Sequence, residues 1–208
     1  MYVDESVLQF MCCKEYESSL LANETVNATI AFMDICGFTA ISEQEPPDVV
    51  VQLLNRVFDV IVREIITESG YVDKFMGDAV LALWNSPDPQ EDHALRAARA
   101  ALNIIRRAHE THSTITDASQ HMIFRIGIST GPAIIGNVGT SELFNYTAIG
   151  DTVNIAQRLQ SSARPGQILI QKSTYDIVAG QIIGSRLDAI YVKGREQPID
   201  VYSLEGLK

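Results

Sequence analysis

The sequence predicts an α/β fold in which helices pack against one sheet. Its 208 residues, 46% of them hydrophobic, are enough to bury a complete core. From residue 26 onward, strand-like apolar runs alternate with two long amphipathic segments, an order typical of helices layered on a sheet. We expect one domain over residues 23–208, preceded by a short connector over residues 1–22.

The charge balance argues against nucleic acid as a partner. Sixteen Lys and Arg residues stand against 26 Asp and Glu residues, for a net charge of -10, and no basic run is available to neutralise a phosphate backbone. Because an acidic background repels a nucleotide polyanion, such a substrate would need metal ions and locally placed cations. The composition therefore favours a metal-assisted site.

The cysteine content indicates a reducing compartment. Cys12, Cys13 and Cys36 form an odd set without zinc-ligand spacing, which argues against a disulfide framework. The sequence has no apolar run long enough for a membrane helix and no signal peptide. We expect a cytoplasmic domain, with membrane contact only through other parts of a longer parent protein.

The first elements bring one aspartate to a strand end. The run ATIAFM is strand-like and leads directly into Asp34. A long helix is predicted over residues 46–69, because Pro47 and Asp48 suit its first turn and Gly70 follows its end. Its apolar positions recur at helical spacing: Val50, Leu53, Leu54, Val57, Phe58, Ile61 and Ile65.

A predicted hairpin holds a second aspartate. The runs YVDKFM and AVLALW are paired strand candidates, and Asp78 lies in the tight turn between them. Carboxylates fixed at two strand ends could converge on Mg²⁺ or Mn²⁺, which prefer carboxylate, water and phosphate oxygens. The alternative is ordinary capping, the more common role of a single aspartate in such a position.

The middle of the chain predicts a second helix, over residues 88–112, and two further strands. These strands, IFRIGIST and AIIGNVG, flank Gly131 and Pro132, which we expect to form a hairpin turn. GPAIIG has the outer glycines of a phosphate loop. However, Asn137 and Val138 stand where Lys and Ser/Thr are required, which argues against that motif.

A capped helix is predicted to begin near Asp151 or Thr152 and to end before a Pro-Gly pair. Asn154 and Arg158 lie one turn apart on it, so their side chains point the same way. The chain then predicts a buried strand, a short helix and a closing hairpin.

The closing hairpin turns through Gly194, with Lys193 and Arg195 on either side. On spacing alone, an ordinary exposed basic turn is the favoured interpretation of these two cations.

Five segments together resemble the catalytic domain of the class III nucleotidyl cyclases. They are FMDICGFT, KFMGDAVLALW, IGISTGPAIIGNVG, YTAIGDTVNIAQRLQ and VKGREQPIDVY, and they fall in this order between residues 25 and 204. The resemblance implies a ferredoxin-like βαββαβ core with additional strands and helices, of the α/β (α+β) class. It also implies conversion of a nucleoside triphosphate to its 3′,5′-cyclic monophosphate and pyrophosphate.

The matched motif positions imply a metal site. Asp34 and Asp78 match the metal-binding aspartates, with Ile35 in the same site. Two divalent cations, Mg²⁺ or Mn²⁺, would then support an in-line displacement at each active site. Lys193 is the best match to a terminal-phosphate contact, with Arg195 as its rival.

Other matched positions imply substrate contacts. Asn154 and Arg158 match the pair that orients the ribose and stabilises the transition state. Lys74 and Thr147 match the base-recognising positions. Lysine has only donors, which suits adenine N1, and the Thr147 hydroxyl can accept from the 6-amino group. A hydroxyl also donates, so discrimination against guanine could be incomplete.

The resemblance therefore favours an adenylyl cyclase that acts on ATP as a homodimer, with each site shared between two subunits. The Lys and Thr combination is similar to the bicarbonate-responsive subclass, which implies bicarbonate regulation as a hypothesis. The alternatives are a guanylyl cyclase of the same fold and a catalytically silent dimeric module that binds nucleotide.

Overall fold

The computed structural model describes residues 23–114, 123–140, 144–191 and 197–208, apart from the side chains of residues 111–114. The predicted connector lies outside this part of the chain. The described residues form eight strands and five helices. In chain order these are β1 Glu24–Ile35, α1 Phe38–Gln44, α2 Pro47–Thr67, β2 Tyr71–Met76, β3 Ala79–Trp84, α3 His93–Thr114, β4 Phe124–Gly139, β5 Phe144–Ile149, α4 Asp151–Ser162, β6 Ile168–Gln171, α5 Lys172–Val178, β7 Ile182–Arg186 and β8 Val201–Leu207.

The sheet has a ferredoxin-like core, as predicted. Its strand order is β2-β3-β1-β4-β6-β8-β7, with β5 paired to β4. The neighbours β2-β3, β3-β1 and β1-β4 are all antiparallel, and they are joined in sequence as βαββαβ. The strands β6, β7 and β8 extend the sheet beyond this core, and β4 pairs with β6 in parallel.

Two hydrophobic layers cover the two faces of the sheet. Alternate residues of β1 point to opposite faces. Ala31, Met33 and Ile35 join the larger cluster, which includes α2 and α3. Ile30 and Phe32 join a second cluster, which includes residues of β5 and α4. By the same alternation, Asp34 projects on the β5 and α4 side, and the candidate site is therefore on that face.

The helix predictions are largely confirmed. Helix α2 begins and ends close to the predicted limits, and α4 begins at Asp151 as expected. Helix α3, however, begins at His93 rather than at residue 88. Pro89 disfavours helical backbone in the residue before it, and Asn85 closes this segment as a loop by accepting from Gln90 N at 2.5 Å. The short helix α1 and the strand β5 were not predicted.

The predicted hairpin turn at Gly131 and Pro132 is wrong, because β4 runs through both residues without a turn. On one side, β4 pairs with β1 from Phe124 to Ile135. On its other side, it pairs with β6 only at Ile126–Ile128 and with β5 from Ile134 onward. The proline therefore lies between these two partners, in a part of the strand where a missing N–H is tolerated.

Candidate active site

Asp34 and Asp78 meet on one face of the sheet. Asp34 is near the end of β1, and Asp78 follows Gly77, whose φ of 65° forms the turn between β2 and β3. The Asp78 carboxyl shares a hydrogen bond with Asp34. Burial, this bond and the charge of Asp34 together raise the pKa of Asp78 to about 6. The predicted convergence of the two side chains is therefore observed.

Two further residues contact Asp34 and were missed by the sequence analysis. The guanidinium of Arg125 forms an ion pair with Asp34 Oδ2. Gln160 Nε2 donates to the same oxygen at 2.9 Å. Arg125 is the cross-strand partner of Asp34 in the β1–β4 ladder, while Gln160 arrives from α4. Neither lies in a local pattern that would indicate this contact.

The donor set fits hard divalent cations. Two adjacent carboxylates that share a hydrogen bond repel each other when both are ionised, and a cation between them would remove this repulsion. Ile35 has no side-chain donor, so only its backbone carbonyl could be a ligand. Within the described residues, no group of three or more His, Cys, Asp and Glu side chains could hold a metal. Mg²⁺ tolerates such a sparse set, because it usually retains waters and takes substrate phosphate oxygens.

Lys74 and Thr147 also meet. Lys74 Nζ donates to Thr147 Oγ1 at 2.9 Å, which joins β2 to β5 across 73 residues of sequence. Asp73, which the sequence analysis did not single out, completes this cluster. Its Oδ2 accepts from Thr147 Oγ1 at 2.6 Å and from Ala148 N at 3.1 Å. We call Asp73, Lys74 and Thr147 the base cluster, after the role that the sequence analysis predicts for Lys74 and Thr147.

A β-bulge explains how two consecutive residues serve the same cluster. Val72 pairs with Ala82 and Lys74 pairs with Leu81, so Asp73 is an extra residue in β2. In a regular strand, adjacent side chains point to opposite faces, whereas a bulge changes this alternation. Phe75 then returns to the helix side, where its ring lies 4.4 Å from that of Phe58 in α2.

Asn154 and Arg158 lie on α4, as predicted, but not on the face that contacts Asp34. Asn154 is exposed and Arg158 is half-buried. Neither side chain has a hydrogen bond or ion pair among the described residues. Arg158 precedes Gln160 by two residues, which corresponds to about 200° around a helix. Since Gln160 points toward Asp34, Arg158 points away from the aspartates of its own chain.

The predicted phosphate contacts Lys193 and Arg195 lie outside the described residues, as do Cys12 and Cys13. Cys36 is close to the aspartates. Burial is the main cause that raises the pKa of its thiol, and the charge of Arg125 opposes this increase. Among the described helices, none has the length and apolar character needed to cross a membrane.

The chain is similar to known cyclases in sequence and in structure. Its sequence is 34% identical to Adenylate cyclase 1 of Rhizobium meliloti (strain 1021) over 86% of this chain, which corresponds to 27% of that protein. The chain thus spans about a quarter of the length of this relative.

Two crystal structures show the same fold at 30% identity. The adenylyl cyclase CyaB from P. aeruginosa matches with a TM-score of 0.82, over 89% of this chain and 96% of that one. The guanylate cyclase domain of RhGC from Catenaria anguillulae, in complex with GTP, matches with a TM-score of 0.80, over 89% and 100%.

A family model described as "Adenylate and Guanylate cyclase catalytic domain" matches residues 20–206. The match includes both the paired aspartates and the base cluster. With the ferredoxin-like core and its added strands, these findings establish that the chain belongs to the class III nucleotidyl cyclases, as a catalytic domain of that family.

Proposed function

We propose that this chain is an adenylyl cyclase domain that converts ATP to 3′,5′-cyclic AMP and pyrophosphate. The observation that carries the choice of ATP is the contact between the Lys74 ammonium and the Thr147 hydroxyl, at 2.9 Å. Lysine offers only donors. Adenine presents an acceptor at N1 beside a donor at its 6-amino group, whereas guanine presents a donor at N1 and an acceptor at O6. The base cluster is therefore complementary to adenine.

The paired aspartates support the chemical step. Asp34 and Asp78, with the Ile35 carbonyl, would hold two divalent cations. When bound, such ions lower the pKa of an attacking hydroxyl and neutralise charge on the leaving pyrophosphate. Arg125 already neutralises part of the charge on Asp34, and Gln160 fixes the orientation of this carboxylate by donating to it at 2.9 Å.

Asn154 and Arg158 are proposed to act on the substrate directly. A guanidinium can donate two parallel hydrogen bonds to phosphate oxygens, so Arg158 would meet charge that develops on the α-phosphate. Asn154, one turn earlier, would orient the ribose. Neither side chain is occupied by another described residue. Lys193, outside the described residues, stays our prediction for the terminal phosphate.

The orientation of Arg158 supports a homodimer. Because this side chain points away from the aspartates of its own chain, it would complete the site formed by the aspartates of a second copy. The base cluster, in which Lys74 and Thr147 belong to one chain, would serve a base in the same shared site. Lys74 therefore belongs to one site and Asp78, four residues later, to the other.

Turnover of ATP and GTP, in Mg²⁺ and in Mn²⁺, is the first test. We expect cyclic AMP as the main product and its loss in Asp78→Asn. A preference for GTP would instead support the guanylyl alternative, which the similarity to a GTP-bound relative keeps open. A folded chain that binds ATP without turnover would support the silent module. Parallel reactions with and without bicarbonate, at constant pH, test the bicarbonate hypothesis.

A mixing experiment tests the shared site. Asp78→Asn and Arg158→Ala chains should each be inactive alone, because each lacks one half of the shared site. A mixed dimer of the two should regain one intact site, so activity should return on mixing. If mixed chains form dimers and stay inactive, the shared site is wrong. Two batches of Arg158→Ala mixed with each other provide the matched control.

A further inference from the structure

We propose that Asp73 is a specificity-determining positioning residue, which makes Thr147 a hydrogen-bond acceptor only and so excludes bases with a 6-oxo group. This inference rests on the proposed function and deepens it. Asp73 would not touch the substrate. It would act by fixing the direction of one hydroxyl proton.

The three residues of the base cluster differ in solvent exposure, with Lys74 the most exposed and Asp73 the most buried. The Lys74 side chain is 36% exposed and that of Asp73 is 0% exposed, while Thr147 is 6% exposed. A substrate can therefore approach Lys74 and the edge of Thr147, but it cannot reach Asp73. Buried carboxylates are uncommon unless they are paired, and this one has its partners inside the cluster.

The contacts of Asp73 determine which way the Thr147 hydroxyl points. A carboxylate only accepts, so at 2.6 Å between Thr147 Oγ1 and Asp73 Oδ2 the proton must belong to the threonine. The same oxygen accepts from Ala148 N at 3.1 Å, and this second bond holds the carboxylate in place. Thr147 then has no proton left to donate to a base.

A count of donors and acceptors gives the predicted base edge. A hydroxyl has one donor and two acceptor positions. Thr147 uses the donor on Asp73 and one acceptor on Lys74 Nζ, at 2.9 Å, so one acceptor remains. Lys74 uses one of its three donors on Thr147, and its ammonium lies within ion-pair range of Asp73 Oδ1, at 3.3 Å, without a hydrogen bond to it, so a donor remains for the base. One donor beside one acceptor matches N1 and the 6-amino group of adenine.

The other carboxylate oxygen supports this assignment. Asp73 Oδ1 is buried and has no hydrogen-bond partner, although Lys74 Nζ lies within ion-pair range. Leaving a buried acceptor without a hydrogen bond is unfavourable. The attraction between Asp73 Oδ1 and the Lys74 ammonium keeps Lys74 beside Thr147. The ammonium and the Thr147 hydroxyl can then contact one base together.

The test compares ATP with inosine triphosphate, whose base has a 6-oxo group and an N1 proton but no 2-amino group. Asp73→Asn replaces the carboxylate by a neutral amide that attracts the Thr147 proton less strongly, so the hydroxyl can turn its proton toward the 6-oxo group. We expect the ratio of kcat/KM for ATP over inosine triphosphate to fall by about tenfold. The matched control is Asp59→Asn, because Asp59 has a side chain that is 61% exposed on α2; this variant should keep the wild-type ratio.

A double-mutant comparison separates positioning from a merely structural role. In a Thr147→Val background no hydroxyl is left to orient, so Asp73→Asn should leave the ratio unchanged there. An unchanged ratio with Thr147 present would overturn the inference, as would an equal fall in both backgrounds. If Asp73→Asn does not fold, as judged by circular dichroism, Asp73→Ala also removes the carboxylate that accepts the Thr147 proton and should lower the ratio similarly.

Failure of the inference can be distinguished from failure of the proposed function. Wild-type protein that prefers ATP, together with a variant of unchanged ratio, contradicts only the role of Asp73. Wild-type protein that prefers GTP, or that has no turnover, contradicts the proposed function and the inference with it.

Discussion

Substitution of Gly127 by alanine should separate α4 from β4. An added Cβ would lie 2.2 Å from the backbone N of Gln160 and 2.3 Å from the carbonyl O of Ala156. Ordinary contacts of this kind begin at 3.4 Å, so the helix would have to move by roughly 1 Å. Both opposing atoms belong to helix backbone and cannot rotate away. We therefore expect a loss near the upper end of overpacking costs, about 3 kcal/mol.

Thermal denaturation monitored by circular dichroism measures this effect. A loss of about 3 kcal/mol corresponds to a decrease in Tm of about 10 °C for a domain of this size. Activity should also fall at temperatures where the variant is still folded, because a shift of α4 displaces Asn154 and Arg158. The matched control is Gly206→Ala, where a Cβ has its nearest neighbour at 3.8 Å, Ile183 Cδ1. If Gly127→Ala melts within about 2 °C of this control, the close packing of α4 on β4 is refuted.

Two further predictions concern charged groups. The pKa of Asp78 is raised to about 6, so the folded chain keeps a proton that the unfolded chain releases near pH 4, and metal-free stability should fall as pH rises through about 6. In EDTA, Asp78→Asn should abolish this dependence of stability on pH and should be about 1 kcal/mol more stable than wild type at pH 8, after allowance for solvent screening. Wild type and variant whose Tm values change with pH in parallel would contradict this prediction. Arg107→Ala should cost about 2 kcal/mol, because Glu64, only 3% exposed, loses its ion-pair partner. The control is Arg63→Ala, which breaks an exposed ion pair with Asp59 and should cost under about 0.5 kcal/mol. Urea unfolding measures both losses, and equal values for the Arg107 and Arg63 variants would contradict this reasoning.

Local patterns were sufficient for most of the fold. The apolar spacing of α2 and the strand runs on either side of Asp78 depend on contacts between residues near in sequence, so they are visible without tertiary structure. The turn at Gly131 and Pro132 was predicted wrongly for the opposite reason. Gly and Pro usually break strands, but here β1 pairs with β4 on both sides of this dipeptide, from Phe124 to Ile135. The pairing at Gly131 and Pro132 comes from residues about 100 positions away and leaves no local signal.

Local sequence patterns likewise indicated only some residues of the candidate site. Asp34 and Asp78 could be singled out because each stands where an apolar run meets a glycine turn. Arg125, Gln160 and Asp73 could not, because their functional neighbours lie 91, 126 and 74 residues away in sequence. Asp73 in particular looks like an ordinary polar residue of a strand until the bulge in β2 is known.

The sequence by itself determined the class of fold, the family resemblance and the residue types available for metal, base and phosphate, since these depend on composition, periodicity and ordered motifs. Only the tertiary structure decided which groups touch. It placed Arg125 and Gln160 on Asp34, turned Arg158 away from that carboxylate and buried Asp73 behind Thr147. Hydrogen bonds act over about 3 Å, and that precision is reached only when distant strands and helices pack together.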